Sequence, residues 1–135
     1  CTRPPWGRLI AVDGNTGEIA WASNLGTTPE LPEGKQDTGS NNFSGGPAVT
    51  AGGLVFIGAT SDPFFRAYDS GTGKILWQKQ LDYAPMTLPI SYRGKDGKQY
   101  VAVTAVGSGL GGPAPRGPDG KPLNQESVHV FALPN

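Results

Sequence analysis

The sequence predicts an all-β fold, organised as a partial β-propeller of about two and a half four-stranded antiparallel blades. Three observations support this prediction. The 21 glycines and 13 prolines form about a quarter of the 135 residues, which disfavours long helices. A strand–turn–strand motif recurs along the chain, and short apolar runs elsewhere alternate with turn signals. A repeat of blade length in a β-rich chain is typical of propellers rather than of helical solenoids.

The recurring motif covers residues 11–21 and 67–77. The copies are offset by 56 residues and share six of eleven residues, namely Ala, Asp, Thr, Gly, Ile and Trp. An Asp-x-x-Thr-Gly turn separates the strands of each copy, because glycine permits a positive φ and the Asp and Thr oxygens accept turn N–H groups. We therefore interpret Asp13 and Asp69 as turn-capping residues. Trp21 and Trp77 are predicted to pack between neighbouring sheets rather than to stack on a ligand.

The other elements follow in chain order. Strands are predicted at 8–13, 18–22, 46–50, 54–60, 65–69, 74–81, 89–92, 99–105 and 127–133. We assign these to a half blade (1–24), a full blade (46–81) and a closing blade that lacks one strand (87–133), with loops at 25–45 and 107–126. The missing strand and the start at Cys1 lead us to expect a C-terminal portion of a larger ring.

Composition and charge exclude several function classes. Eleven basic and eleven acidic residues give zero formal net charge at pH 7, so we predict no nucleic-acid partner. One Cys and one His exclude a disulfide framework or a zinc site supplied by this chain alone, and the apolar runs are too short to span a membrane. His129 is interpreted as an ordinary strand residue. Arg66 and Arg116 could meet an anion, but both are predicted to lie at the surface, where arginine is usually found.

The Ala-x-Asp-x-x-Thr-Gly-x-x-x-Trp repeat resembles the tryptophan-docking motif of quinoprotein dehydrogenases, enzymes built on an eight-bladed propeller around pyrroloquinoline quinone (PQQ). Other stretches resemble the membrane-bound glucose dehydrogenase branch of this family, at 4–7, 45–47, 50–60, 62–69, 97–101 and 131–134. Two stretches depart from that branch. Residues 84–87 read Ala-Pro-Met-Thr, closer to the alcohol-oxidising relatives, and residues 105–112 lack the histidine of the glucose branch.

The resemblance implies an oxidoreductase of the periplasm, membrane-associated as a full-length protein, that contains PQQ and Ca²⁺. Such an enzyme oxidises a sugar or alcohol hydroxyl, with a glucose-type substrate expected here, and passes electrons through PQQ to a quinone such as ubiquinone. The family's catalytic and calcium-binding residues are expected upstream of this segment. We therefore expect no catalytic residue, no metal ligand and no independently held cofactor in these 135 residues, which should be inactive by themselves.

One segment is nevertheless predicted to contribute to the cofactor wall. The innermost strand of a propeller blade begins near the central axis, so the loop that leads to strand 46–50 should reach the cofactor face. Glycine pairs let a backbone approach a flat ring, and amide, aromatic and hydroxyl groups could contact it. The candidate cofactor-binding residues are Asn42, Phe43, Ser44, Gly45 and Gly46. In the alternative interpretation, the glycines serve strand packing and the asparagines serve the turn.

Two other functions remain open from the sequence. A non-catalytic PQQ-like repeat propeller that scaffolds protein assembly would share the tryptophan repeat without cofactor or calcium. The segment could also associate with copies of itself, because exposed blade edges offer unpaired backbone groups. The run at 45–60 favours the enzyme, since a scaffold has little reason to keep it. The expected partners of the enzyme are the remaining blades of the same chain, its substrate and its quinone acceptor.

Overall fold

The computed structural model describes residues 2–40, 44–107, 118–120 and 126–132. All regular elements in these ranges are strands, which confirms the all-β prediction. The strands are β1 (Arg8–Val12), β2 (Ile19–Asn24), β3 (Ala48–Val49), β4 (Leu54–Ile57), β5 (Phe64–Asp69), β6 (Ile75–Gln80), β7 (Ile90–Arg93), β8 (Gln99–Val106) and β9 (Glu126–Ala132).

The strands form three antiparallel sheets in which chain neighbours are also sheet neighbours. Sheet A contains β1 and β2, sheet B contains β3 to β6 in order, and sheet C contains β7 to β9 in order. Every pairing is antiparallel. A meander of this kind, with two, four and three strands, is the predicted partial propeller of about two and a half blades.

The two copies of the motif adopt the same local structure. Ala11 is paired with Trp21 and Ala67 with Trp77, and in both copies the register shifts one position later. The Asp13 carboxylate accepts hydrogen bonds from two turn N–H groups, and the Asp69 carboxylate accepts two turn N–H groups and the Thr72 hydroxyl. The turn-capping role predicted for both aspartates is therefore confirmed.

The central strands of sheet B, β4 and β5, are covered on both faces, whereas β6 is exposed along its whole length. One face packs on sheet A through a cluster of Leu25, Val55, Ile57, Ala59 and Tyr68. The other face packs on sheet C through Phe65, Leu81, Val101, Val103 and Ala105. Because successive strand residues point to opposite faces, β5 supplies side chains to both clusters and is buried along nearly its whole length. The two cores together fix the order of the sheets.

Trp21 makes the most specific contact between sheets A and B. Its indole N–H donates to the Ser70 carbonyl at 2.8 Å, in the turn between β5 and β6. Its ring lies against Gly73, where a methyl group would come within 2.7 Å of Trp21 Cδ2. Trp77 instead contacts sheet C, with edge-to-face packing on Phe131 at a centroid distance of 5.1 Å. Both tryptophans thus pack towards the neighbouring sheet, as predicted.

The antiparallel meander sends its connections to two opposite ends. We call the end that carries 25–47, 58–63 and 81–89 the loop end, and the end that carries the tight turns 13–18, 50–53, 69–74 and 94–97 the turn end. Across the loop end, the Ala59 N–H donates to the Pro85 carbonyl at 2.8 Å. The described residues contain no helix of the length and apolarity needed to cross a membrane.

Gly73→Ala should destabilise the protein by about 1–3 kcal/mol more than Gly17→Ala, because only the first methyl group collides with Trp21. The two glycines hold the same place in their turns, with φ of 69° and 76°, so both alanines carry the same left-handed backbone strain of about 1–2 kcal/mol. At Gly17 no described atom lies within 4 Å of the added methyl group. Equilibrium urea unfolding of both variants measures the difference, and equal losses would contradict the Trp21 contact.

Candidate functional site

Ser44 to Gly46 lead into β3, the first strand of sheet B, at the loop end. The Ser44 N–H donates to the Ala59 carbonyl at 3.3 Å, which ties the segment to the connection between β4 and β5. Asn42 and Phe43 lie outside the described residues, so their predicted contacts with a cofactor stay predictions. The structure brings the three described candidates together at the loop end of one sheet.

Gly45 and Gly46 allow a close approach to the segment that leads into β7. Gly45 has a φ of 96°, and a methyl group there would lie 2.8 Å from the Thr87 carbonyl oxygen. At Gly46 a methyl group would lie 3.0 Å from Leu88 Cδ2. Gly45 is therefore needed for contact between the entries to the first strands of sheets B and C, whereas a methyl group at Gly46 would require only a small shift of the exposed Leu88 side chain. This packing requirement exists whether or not the same backbone also contacts a ligand.

A buried ion pair at the loop end was not foreseen. Arg66 in β5 and Asp62 just before it are each 2% exposed. The guanidinium binds the carboxylate through two nitrogens, Nη1 to Oδ1 at 2.9 Å and Nη2 to Oδ2 at 2.7 Å. The prediction that Arg66 lies at the surface is wrong, because both faces of β5 are covered and Asp62 neutralises the charge within the core. Arg116 lies outside the described residues.

The remaining lone pairs of the Asp62 carboxylate are also used. Oδ1 accepts the Thr60 hydroxyl at 2.8 Å and the Phe64 N–H at 3.3 Å. Oδ2 accepts both the N–H and the hydroxyl of Thr27, at 2.7 and 2.9 Å. The carboxylate therefore joins the loop after β2 to the connection between β4 and β5.

Burial alone would raise the pKa of Asp62, but the hydrogen bonds and charge of Arg66, with the Thr60 and Thr27 hydroxyls, outweigh it and lower the pKa. Asp62 is thus an ionised, fully bonded carboxylate at neutral pH. It also borders a shallow depression of about 470 Å³ that Trp6, Glu30 and Ser61 help to line. A carboxylate with every acceptor position occupied is poorly suited to act as a general base, so its chemistry here is structural.

The described residues supply only part of what a PQQ site needs. The Ser44 hydroxyl and the exposed backbone at Gly45 could contact a flat cofactor, but the carboxylates of PQQ also need cationic or hydroxyl partners. Arg66 cannot serve them, because its guanidinium is bound to Asp62. Among the described residues, no three His, Cys, Asp or Glu side chains lie close enough together to hold a metal ion. Any fit to PQQ is therefore partial and limited to one wall.

Sequence reasoning missed the link between Thr27 and Asp62. The spacing Asp62-x-x-x-Arg66 at the start of a strand is a usable signal for the ion pair. No comparable signal exists for Thr27, which is 35 residues upstream in an aperiodic loop. Trp21 and Ser70 are 49 residues apart, but the repeat itself identified Trp21.

Three features together define blades of a β-propeller: the antiparallel sheets, the register shift that recurs after Ala11 and Ala67, and the packing of Trp21 between two sheets. Comparison with protein families is consistent with this class: the family model described as "PQQ: Glucose/ethanol/alcohol dehydrogenase, beta-propeller domain" matches residues 1–101. The chain belongs to this family of PQQ-dependent dehydrogenase propellers.

Individual relatives support the same assignment. The chain is 40% identical over 121 residues to the quinate/shikimate dehydrogenase (quinone) of Acinetobacter baylyi, covering 80% of this chain and 14% of the relative. It is 37% identical over 114 residues to the quinoprotein glucose dehydrogenase of Escherichia coli, covering 81% and 14%. A solved structure titled europium-containing methanol dehydrogenase superposes with a TM-score of 0.65 and 31% identity, covering 93% of this chain and 23% of that chain. The chain thus spans about a seventh of the two curated relatives.

Asp62→Asn should reduce the free energy of unfolding by about 3–5 kcal/mol at pH 7, because it leaves the Arg66 guanidinium buried without its counter-charge. The folded-state pKa of Asp62 lies below its ordinary value of 3.8. The ionised carboxylate therefore stabilises the folded protein at pH values above 3.8. This contribution is lost as the pH falls through the folded-state pKa. Urea unfolding at several pH values should therefore show the gap between wild type and variant narrowing below about pH 4.

Asp13→Asn is the matched control for this measurement. Asp13 is an exposed turn aspartate whose Oδ1 acceptor the asparagine retains, so the variant should lose less than about 1 kcal/mol. A gap between wild type and Asp62→Asn that stays constant from pH 7 to pH 3 would contradict the role assigned to the ionised carboxylate.

Proposed function

We propose that this chain forms blades of a PQQ-dependent dehydrogenase that oxidises the hydroxyl of a sugar or alcohol, with glucose-type substrates preferred. The bound PQQ would supply the redox chemistry by accepting two electrons and two protons, and a quinone would then reoxidise it. The observation that carries the proposal is the family membership established over residues 1–101. Similarity to a glucose dehydrogenase favours a sugar, while the quinate relative leaves polyhydroxy acids as the main competitors.

The placement of the blades extends this proposal. Residues 1–24, 46–81 and 87–133 would be successive blades of an eight-bladed ring, with 25–45 and 107–126 as connecting loops. Trp21, which spans from sheet A to the turn of sheet B, has the contacts expected of a tryptophan-docking residue. The apolar residues Ile10, Val12 and Ile19 on the exposed side of sheet A would be covered by the adjoining blade. The whole enzyme would act at the periplasmic side of a membrane.

Asn42, Phe43, Ser44, Gly45 and Gly46 would form part of the cofactor wall. Support comes from the loop-end location of Ser44–Gly46 at the entry to the first strand of sheet B, which is the innermost strand of a blade in the proposed ring. The base that takes the substrate proton and the Ca²⁺ that polarises the quinone would be held by other blades, since the described residues offer no metal-ligand cluster.

Holoenzyme reconstituted with PQQ and Ca²⁺ should reduce an electron-acceptor dye with a higher kcat/KM for glucose than for quinate, glycerol or methanol. The 135-residue chain alone, with the same additions, should show no activity, because two and a half blades cannot enclose a cofactor. Steady-state dye reduction measures both expectations. A preference for quinate would redirect the substrate proposal, and the absence of PQQ-dependent activity in the intact protein would favour the scaffold alternative.

In the intact protein, Asn42→Ala and Phe43→Ala should each weaken PQQ binding by roughly tenfold, the effect of losing one polar or aromatic contact. Asn15→Ala is the control, because Asn15 is an exposed residue in a turn at the opposite end of the molecule. Fluorescence titration of the apoprotein with PQQ gives the dissociation constants. Constants equal to those of wild type and the control would exclude both residues from the cofactor wall.

A further inference from the structure

The connection between β4 and β5 holds both chain stems that flank residues 41–43. On one side, the Ser40 hydroxyl lies 3.1 Å from the Ser61 hydroxyl, and the Ser40 N–H donates to the Leu25 carbonyl at 2.7 Å. On the other side, the Ser44 N–H donates to the Ala59 carbonyl. The position of Ser44–Gly46 therefore depends on the geometry of residues 58–63.

Asp62 determines that geometry from within the connection. Its Oδ1 accepts the Thr60 hydroxyl and the Phe64 N–H, which folds the chain around the carboxylate before β5 begins. Arg66 holds the same carboxylate from the strand, so the connection is bound to sheet B at a buried point. A charged acceptor gives stronger hydrogen bonds than a neutral one, which makes this arrangement rigid.

Thr27 extends the arrangement to the first stem. Its N–H and its hydroxyl both donate to Asp62 Oδ2, and the neighbouring Gly26 packs so closely that a methyl group would lie 2.6 Å from Ser40 Cβ and 2.9 Å from Thr60 Cγ2. A shift of Thr27 would therefore be transmitted to Ser40 and to the connection. The stems at Ser40 and Ser44 share a single buried carboxylate as their common support.

We infer that Thr27 and Asp62 are positioning residues for the cofactor wall: they hold the backbone of Ser44–Gly46 in the orientation that binds PQQ, without contacting the cofactor themselves. This inference rests on the proposed function for the identity of the ligand. The positioning itself rests on hydrogen bonds within the chain, so it can be tested with and without cofactor.

Thr27→Val tests the inference in the intact protein, because it removes the hydroxyl donor but retains the Thr27 N–H bond and the Asp62–Arg66 pair. Thr27→Ser is the matched conservative variant, because it keeps the hydroxyl. In cofactor-free protein, Thr27→Val should increase amide hydrogen exchange at Ser40 and Ser44 by roughly tenfold, the effect of one lost charge-assisted hydrogen bond. Thr27→Ser should keep the wild-type rate of amide exchange at both residues.

Titration with PQQ provides the second readout. Thr27→Val should raise the dissociation constant by roughly five- to tenfold, and Thr27→Ser should return it to within about twofold of wild type. Faster exchange with an unchanged PQQ affinity would overturn the positioning role, as would unchanged exchange in Thr27→Val. If wild-type protein binds no PQQ, the proposed function fails, while the exchange rates still decide whether Thr27 holds the stems.

Discussion

The contact of Trp21 with Gly73 is the interaction on which the arrangement of sheets A and B depends. Small twisted sheets bury little apolar area individually, and each gains stability only when neighbours cover both faces. The Trp21 ring of sheet A lies against Gly73, in a turn of sheet B, where the lack of a side chain lets the two sheets approach closely. The indole N–H then fixes the register by donating to the Ser70 carbonyl. Strand β5, which has sheet A on one side and sheet C on the other, shows the outcome, since it is buried almost throughout.

The same residue type serves opposite purposes at the two ends of the molecule. At the turn end, Asp69 is partly exposed, and hydrogen bonds from the Thr72 hydroxyl and turn N–H groups lower the pKa of its carboxyl. At the loop end, Asp62 is buried and requires a guanidinium to remain ionised. The turn is a local structure that the repeat can encode, whereas the loop-end network joins segments that are distant in sequence. The architecture that the repeat shares therefore resides at the turn end, while the loop end carries contacts specific to this part of the chain.

How well the sequence predicted each feature depends on how far apart in sequence the interacting residues lie. The paired strands and the two tight turns arise from contacts that recur with the 56-residue offset, so the repeat predicted them, and the recurring tryptophan itself identified Trp21. Arg66 was misjudged because burial of an arginine depends on a partner and on cover from the sheet A side, neither of which is visible in strand periodicity. Thr27 escaped notice because a loop threonine has no pattern that identifies its acceptor. Ser44–Gly46 lie at the loop end because topology alone sends that connection there, and their contact with a cofactor stays a prediction.

Trp77 shows how a repeat is modified where its neighbour differs. Within sheet B it stands opposite Ala67, as Trp21 stands opposite Ala11 in sheet A. Trp21 meets a glycine turn, but Trp77 meets the Phe131 ring on β9 and is 38% exposed. Sheet C presents an aromatic ring where sheet B presents a glycine, so Trp77 makes an edge-to-face contact in place of the contact with glycine. The strand register is identical in the two copies, whereas the surroundings of the indole differ. The position of the tryptophan is therefore determined by its own sheet, and the neighbouring sheet determines only which contacts the indole makes.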